Sequence, residues 1–425
     1  MNAQVQGKPA AKRNSGIDFL RIIAMLMIVV HHLLTHGGLA FAFPQFLPSY
    51  EAALLLNAAV SCAVNCYALI TGFVMSRTAF KLSRLFMLWF EALFWSVGLS
   101  AAMMAAFPGQ VSWLDVALGL FPVTQKRYWY FTAYFGLYFF IPALNCLLKR
   151  MHTRTLLLTV LAAVGLFSLL PVANPMDLFG LQRGYHILWL AVLYLLGGCL
   201  REYSMALKPR PVKWALVYAL CALAAWAGRL GVEKLNARGL ARNLSPEFLY
   251  YYTSPAMLLA AVALVLLFAR LKPQGRAARC IAAVSPLTFG VYLIHDHPQV
   301  RELLIHNRLL AYSGLPPLGL ALAVAGSVAA VFGLCLAMEA LRQRLFGALK
   351  LDGALKEQLM AIRGVGVKVA SCVMLFAYHR LAAAPVDVWI QRVIDEEYGG
   401  VSPFEGYGPY AGVYQQSFFF ERVGK

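Results

Sequence analysis

Runs of about 20 consecutive apolar residues recur along most of this chain, and they constrain its fold more than any other feature. That is the length a helix needs to cross the hydrocarbon core of a bilayer. The runs are continuous, which excludes the alternating pattern of a membrane β-barrel. Charged residues make up only 13% of the 425 positions, whereas a soluble domain carries about 25%. The sequence therefore predicts an all-α, polytopic bundle of transmembrane helices.

About ten spans are predicted, preceded by a polar tail at residues 1–15. No small-residue cleavage pattern follows the first span, so we interpret it as a membrane helix rather than a signal peptide. Lys and Arg residues concentrate in alternate loops, apart from one loop with Lys234, Arg238 and Arg242. By the positive-inside rule this predicts cytoplasmic termini and a cytoplasmic-membrane location, with membrane lipid as a partner. The predicted spans are residues 17–37, 52–75, 84–107, 129–148, 155–173, 184–200, 212–229, 249–270, 282–305 and 317–342.

The composition changes near residue 350. Residues 16–345 form the predicted transmembrane domain, whereas residues 352–425 contain no apolar run long enough to span a membrane. We predict a small soluble helical unit there, joined by a linker of a few residues. The eight Cys residues lie mostly within apolar runs, at spacings that match neither a zinc site nor a disulfide framework. No metal is therefore predicted.

The first span carries an unusual set of ionisable residues, which are costly inside a membrane and usually face a cavity. Arg21 and His32 are eleven positions apart, so they lie within about 20° of each other around a helix and about 16 Å apart along it. Asp18 and His36 each lie about 60° from Arg21 around the helix. His31 is rotated about 100° away and is expected to pack, with a role shared with His32 as the alternative. One polar stripe therefore follows the first span.

The stripe allows more than one function. His32 could act as a general base, because imidazole has a pKa of about 6.5 and accepts a hydroxyl proton near neutral pH. Arg21 would then bind an anionic donor nearer the cytoplasm. Alternatively, Arg21 extends to the interface and His32 donates to a backbone carbonyl. Ten spans with a polar stripe would also suit a non-enzymatic transporter.

Four segments, in order, resemble the acyltransferase-3 family. IDFLRIIAMLMIVVHHLLTHGG contains the family's Arg (or Lys), ten intervening residues and His, here Arg21 and His32. NCYALITGFVMSR (65–77), FPVTQKRYWYFTAYFGLYFFIPALN (121–145) and LTFGVYLIHDHPQVRELL (287–304) resemble later family segments. The resemblance covers residues 13 to about 345 of this sequence.

The resemblance implies a membrane O-acyltransferase. Family members move an acyl group, often acetyl, from a cytoplasmic donor such as acetyl-CoA to a hydroxyl of an envelope carbohydrate or related acceptor. On this reading His32 is the base and Arg21 helps to hold acyl-CoA. His295 and Asp296 form either a second acid–base pair or a polar turn before Pro298. Further residues expected along the substrate path are Asp18, Arg84, Tyr128, Trp129, Tyr130, Asn145 and His295.

A separate motif, LMAIRGVGVKVA, occupies residues 359–370 in the soluble unit. It predicts a helix, a tight turn and the start of a second helix, because glycine permits a sharp turn and close approach to another surface. Backbone N–H groups at the start of the second helix suit a DNA phosphate, here from Gly364, Val365 and Gly366. A short glycine turn alone is weak support for DNA binding.

The motif and the later APVDVWIQRV together resemble the helix-hairpin-helix DNA glycosylases, especially the 8-oxoguanine glycosylase/lyase branch. The resemblance implies that Lys368 attacks the sugar C1′ and that Asp387 assists. A desolvated Lys near a helix N-terminus would suit this role. Residues 352–425 lack the preceding domain that such enzymes need for base flipping. We therefore predict a fragment that has lost the activity; base-excision repair through DNA contacts of this unit is the alternative.

Overall fold

The computed structural model describes residues 14–43, 46–78, 80–173, 177–203, 211–240, 244–348, 352–376, 378 and 380–416. Within these ranges the protein is all-α, with one isolated β-bridge between Pro108 and Val111. The prediction of a helical membrane bundle is confirmed. The helices are α1 Ser15–His36, α2 Pro48–Val60, α3 Ala63–Met75, α4 Leu82–Ala106, α5 Trp113–Leu118, α6 Trp129–Arg150, α7 Thr153–Val164, α8 Leu170–Ala173, α9 Ile187–Tyr203, α10 Pro211–Ala237, α11 Pro255–Phe268, α12 Gly275–Val284, α13 Thr288–His295, α14 Pro298–Val300, α15 Pro317–Ala348, α16 Asp352–Met360, α17 Val367–Phe376 and α18 Val388–Tyr398.

Nine helical segments in the described ranges are long and apolar enough to cross a membrane. They match nine of the ten predicted spans. The remaining prediction, residues 184–200, coincides with α9, which has 17 residues and is at the lower limit for a span. Trp189, Leu190, Leu193 and Tyr194 on α9 are fully buried, so this helix lies inside the bundle. The direction in which the bundle crosses the membrane stays a prediction.

The ninth predicted span ends earlier than expected. The apolar segment runs over Gly275–His295, whereas the prediction continued to residue 305. Asp296 and His297 leave the helix, and Pro298 begins a short new turn because its ring lacks an N–H and suits a first helical position. A π-helix follows at Arg301–Ile305. The break therefore places three polar residues at the end of α13 instead of within a span.

The N-terminus of α1 is held by a side-chain cap. Asn14 Oδ1 accepts from the N–H groups of Gly16 and Ile17 at 3.0 and 3.1 Å, and its Nδ2 donates to Ala269 O at 3.0 Å. Gly16 packs so closely on α11 that an added Cβ would lie 2.0 Å from Phe268 O. The cap and the close approach fix the register of α1 against α11, which positions the histidines further along α1.

Small residues also bring α3 and α9 together. An added Cβ at Gly72 would lie 2.0 Å from Tyr194 O, and one at Gly197 would lie 2.2 Å from Leu69 O. Membrane helices associate through such close backbone contacts, because lipid provides no hydrophobic drive between them. The closely packed α3–α9 pair contacts α1 through α3.

The chain divides into two compact units, residues 1–340 and 341–425. The division falls within α15, which continues to Ala348, so the membrane unit has no separate linker before residue 345. The predicted linker covers residues 346–351: residues 346–348 belong to α15, whereas 349–351, like 1–13 of the predicted tail, lie outside the described residues. In the second unit, α16 and α17 flank the predicted glycine turn. Ile390, Ile394, Phe404 and Ala411 form its small buried cluster.

Replacing Gly197 with Leu should destabilise the membrane unit, because the new side chain would force α9 away from α3. We expect a loss of about 1–3 kcal/mol in unfolding free energy, the usual effect of overpacking. The measurement is the melting temperature of the purified full-length protein in detergent. Gly333→Leu in α15 is the matched control, since an added Cβ there meets nothing within 4 Å. Equal melting temperatures for the two variants would contradict this packing.

Candidate active site

His32 lies on α1 beside the broken end of α13. Its Nδ1 is 3.0 Å from His295 Nε2 and 3.7 Å from Asp296 Oδ1. From the sequence we predicted that His295 and Asp296 form either a second acid–base pair or a polar turn. The structure instead places both residues beside His32, the predicted base. The break after His295 is what allows both residues to face α1.

Hydrogen-bond geometry determines which nitrogen of His32 is free. His295 Nδ1 lies 2.6 Å from the backbone oxygen of Val291, so Nδ1 carries a proton because a carbonyl only accepts. The Nε2 of neutral His295 is then an acceptor, and His32 Nδ1 donates to it. This leaves the lone pair of neutral His32 on Nε2, which has no hydrogen-bond partner among the described residues. A nitrogen in this state can take a proton.

Asp296 is held by a cation on its other side. Arg301 Nη1 lies 3.1 Å from Asp296 Oδ1, and the carboxylate is only 3% exposed. A buried charge requires such a partner, because removal from water costs several kcal/mol. The π-helix that contains Arg301 folds back towards Asp296 and makes this ion pair possible. The pair keeps a carboxylate beside His32.

Two cavities meet at His31 and His32. We call the first the apolar cavity; it encloses about 60 Å³. The second, the polar cavity, encloses about 350 Å³ at the end of the bundle where α1 terminates. Trp129 and Tyr252 also border both, so the cavities share one wall. The other residues of the apolar cavity are Met25, Ile28, Val60, Ser61, Ala63, Val64, Tyr67, Tyr130, Phe289 and Tyr292. The other residues of the polar cavity are Thr35, His36, Asn57, Arg183, Tyr185, Arg229, Glu247, Tyr250, Tyr251, Asp296 and Arg301.

His31, which we expected to pack, also belongs to this site. Its Nδ1 lies 2.8 Å from Asn57 Oδ1, so it donates to the amide oxygen and is fixed against α2. The break between α2 and α3 leaves Ser61 at the cavity wall. His31 is therefore positioned beside His32 although it points to another face of α1.

Arg21 does not line either cavity. Its Nη1 lies 2.9 Å from Asp18 Oδ1, and its backbone oxygen accepts from Tyr67 Oη at 2.9 Å. Asp18 also accepts from Ser285 Oγ at 3.4 Å. The two ends of the predicted stripe thus have different surroundings: Asp18 and Arg21 pair with each other, whereas His32 borders the two cavities. Tyr67, a residue of the apolar cavity, links the two ends.

Three other predicted substrate residues have different positions. Trp129 borders both cavities. Asn145 lies away from them: its Nδ2 donates to Met75 O at 3.2 Å and its Oδ1 accepts from Tyr194 Oη at 2.8 Å, so it ties α6 to α3 and α9. Arg84 is exposed near the start of α4. Neither Asn145 nor Arg84 is brought to His32.

Several residues of the polar cavity were not predicted. Arg183, Arg229 and Arg301 come from three separate segments, and only the folded chain brings them together. Tyr185 and Tyr252 were part of aromatic-rich stretches that also fit an interfacial belt. One of these residues could have been predicted from the sequence: Arg229 lies inside the apolar helix α10, and charges within spans usually face a cavity.

His297 lies next to Asp296 in sequence but belongs to another cluster. Its Nε2 is 3.1 Å from Ser96 O, and Arg127 Nη1 donates to Ser100 Oγ at 2.9 Å. This cluster joins α4 to the break after α13. It supports the turn that positions Asp296 without contacting His32.

His32, His36 and Asp296 also offer donor atoms within 4.8 Å of one another. Two imidazoles and a carboxylate are ligands that zinc accepts. However, Asp296 is already paired with Arg301, and His32 Nδ1 with His295. A cation here would compete with both interactions. The prediction that the protein uses no metal stays untested.

The second unit contains the predicted glycosylase-like residues. Gly364 has φ +91, which explains the need for glycine in the turn, while Val365 N–H closes the turn on Ile362 O at 3.0 Å. Lys368 Nζ is 3.4 Å from Asp387 Oδ2, and Asp387 caps α18. The Lys368 side chain is 54% exposed, so it is not the desolvated lysine that would suit a nucleophile. Gly366 lies beside the turn with open space around it.

Comparisons with known proteins match these two units very differently. A probable N-glycosylase/DNA lyase of Methanothermobacter thermautotrophicus is 42% identical over 45 residues, which cover 11% of this chain and 14% of that relative. This short match does not establish a fused repair enzyme, and no solved structure matches the chain. The acyltransferase domain of the acyltransferase-3 kind matches residues 14–338, a range that includes every residue of both cavities. This chain therefore belongs to the acyltransferase-3 family and is a multi-pass membrane protein of an acyl-transferring class.

Proposed function

We propose that the membrane unit transfers an acyl group, acetyl in particular, from acyl-CoA to a hydroxyl of an envelope carbohydrate, with His32 as general base. The observation that carries the proposal is the position of His32 at the junction of two cavities, with its Nε2 unpartnered among the described residues. A base for acyl transfer needs a free lone pair where donor and acceptor meet.

The proposed reaction moves one proton through His32. Nε2 takes the acceptor's hydroxyl proton while the oxygen forms a bond to the acyl carbonyl carbon. The carbon–sulfur bond of the thioester then breaks, and the proton passes to the leaving CoA sulfur. While His32 is cationic, its Nδ1–H keeps its bond to His295, and the Asp296 carboxylate 3.7 Å away stabilises the charge.

The two cavities suit different reactants. The walls of the apolar cavity are mostly apolar and aromatic, which fits an acyl chain rather than a sugar. The polar cavity carries arginine, carboxylate and tyrosine side chains, which fit a hydroxylated acceptor. Arg21 lies at the other end of α1 and would help to hold anionic CoA there. With cytoplasmic termini in the cytoplasmic membrane, the donor would enter from the cytoplasm and the acceptor from outside.

Replacing His32 with Ala should lower acyl transfer by a hundredfold or more, the usual contribution of a positioned base. The measurement is labelled acetyl incorporated into envelope carbohydrate by cells that express the full-length protein. His152→Ala is the matched control, because His152 is exposed between α6 and α7. Acetyl transfer that is undiminished in His32→Ala would rule out His32 as the base. A transporter, in contrast, would keep part of its transport activity without His32.

Replacing Asp296 with Asn should also reduce transfer, by at least about tenfold, because the protonated form of His32 loses its nearby anion and Arg301 loses its partner. The same acetyl assay provides the measurement. Since both residues act as one unit, the double variant with His32→Ala should be no slower than His32→Ala alone. Asp115→Asn, in the capping box of α5, controls for loss of a carboxylate. Additive losses would show that Asp296 acts separately from His32.

We propose that the second unit carries no glycosylase activity. The exposure of Lys368 and its 3.4 Å contact with Asp387 Oδ2 support this, since a nucleophilic lysine is usually desolvated in an apolar pocket or placed beside another cation. The match to the DNA lyase also covers only a small part of that relative.

The full-length protein should accordingly form no covalent adduct with an 8-oxoguanine duplex under borohydride. The measurement is a gel shift of labelled DNA after trapping, and Lys368→Gln defines the background. An adduct that forms with the natural chain and disappears in Lys368→Gln would restore the repair hypothesis, with Asp387 as the assisting residue.

A further inference from the structure

The charges of the polar cavity are not all neutralised. Asp296 is paired with Arg301 at 3.1 Å. Arg229 is held by Glu233 at 3.0 Å and lies 3.9 Å from Glu247. These pairs occupy both carboxylates that line the cavity.

Arg183 differs from these arginines. Its guanidinium carbon lies 4.6 Å from the ring centre of Tyr251, and no carboxylate lies within 4 Å of it in the part of the chain that the structure describes. Tyr251 is itself anchored, because its Oη donates to Ser245 Oγ at 3.1 Å. Among the described residues of the cavity, Arg183 is therefore the arginine without a carboxylate partner, and its guanidinium is available to an anion.

Hydrogen bonds from backbone N–H groups to Asp177 hold the loop that carries Arg183. The Asp177 carboxylate accepts from the N–H groups of Leu181 and Gln182, both at 2.7 Å. Gln182 and Arg183 have φ values of 50° and 60°, and such left-handed conformations are uncommon for residues other than glycine. Consecutive strained residues persist only where the surroundings hold them, and they concentrate at functional sites. Here they direct Arg183 to the cavity.

The same loop contacts the wall next to His32. Gly184 has φ +102, and an added Cβ there would lie 2.6 Å from Tyr252 Cβ. No larger residue fits between the loop and Tyr252. The contact of Gly184 with Tyr252 therefore fixes the backbone next to Arg183 against a wall of the cavity.

Aromatic rings line the same cavity as Arg183 and His32. The ring centres of Trp129 and Tyr185 are 4.3 Å apart, and Trp129 and Tyr252 are nearly parallel, at 14°. Tyr185 is 40% exposed. The C–H bonds on one face of a sugar carry partial positive charge, and they stack on the negative face of such rings. A sugar on this surface would have hydroxyls beside His32 and a substituent towards Arg183.

We propose that the acceptor is an anionic carbohydrate: its carboxylate or phosphate binds Arg183 while its ring stacks on Trp129 and Tyr185. The inference rests on the proposed transfer to a carbohydrate hydroxyl. A guanidinium suits both anions, because its planar N–H groups bind two oxygens at once. Arg183 and Tyr251 also border an adjoining groove of about 550 Å³, which gives room for an acceptor longer than one sugar.

The test measures binding, which does not require turnover. Isothermal titration of the full-length protein in detergent would use methyl glucuronide, glucose 1-phosphate and neutral methyl glucoside as probes. The two anionic probes distinguish a carboxylate from a phosphate. We expect at least one anionic probe to bind on the order of tenfold to a hundredfold more tightly than the neutral one, the usual effect of a charged hydrogen bond.

Arg183→Gln should remove this preference, and Arg183→Lys should keep part of it because the charge remains. Arg308→Gln is the matched control: Arg308 is exposed near the same end of α1, and it donates to Leu303 O outside the cavity. The control should bind all three probes as the natural chain does.

Three results would overturn the subsite: equal binding of neutral and anionic probes, an unchanged preference in Arg183→Gln, or no binding of either anionic probe. Acetyl transfer is measured separately with the same probes. Selective binding that depends on Arg183, without transfer to any probe, would count against the proposed acyl transfer and leave the anion subsite intact. Transfer without selective binding would count against the subsite alone.

Discussion

The hydrogen bond between His32 Nδ1 and His295 Nε2 joins α1 to the end of α13, 263 positions later in the chain. It depends on a second bond, from His295 Nδ1 to Val291 O, since that bond sets the direction of the first. A polar group inside a bilayer has no water to replace a lost partner. Each group is thus constrained by the next, and His32 Nε2 is left without a hydrogen-bond partner among the residues that the structure describes.

Close backbone packing keeps this chain of donors in place. Gly16 lets α1 pack closely on α11, and Gly72 and Gly197 let α3 and α9 pack closely on each other. Gly290 on α13 similarly makes room for the buried side chain of Glu339, whose Oε2 accepts from Trp95 Nε1 at 2.9 Å. Hydrogen bonds tolerate small errors in distance and angle. Rigid helix contacts keep such errors small at the site.

Apolar runs were enough to predict most of the span positions. Helical periodicity was enough to predict the shared face of Arg21 and His32, because it follows from the local geometry of one helix. The partners of His32 were harder to predict. His295 and Asp296 stood out as polar residues in an apolar segment, but their contact with α1 depends on where α13 breaks. Arg183 and Arg301 lie in irregular turns whose direction is set by tertiary packing. Asn145 fitted the family pattern, yet its bonds to Met75 and Tyr194 give it a place between helices.

The apolar walls beside His32 have a consequence for the stability of the donor. A nitrogen that activates a sugar hydroxyl would equally activate water, and water would then hydrolyse the thioester without any product being made. Met25, Ile28, Val64 and Phe289 offer no hydrogen bond to a water molecule, and a bound water needs two or more polar partners. On the proposed mechanism, these apolar walls would therefore limit hydrolysis of the thioester from the side of the apolar cavity while an acceptor is absent.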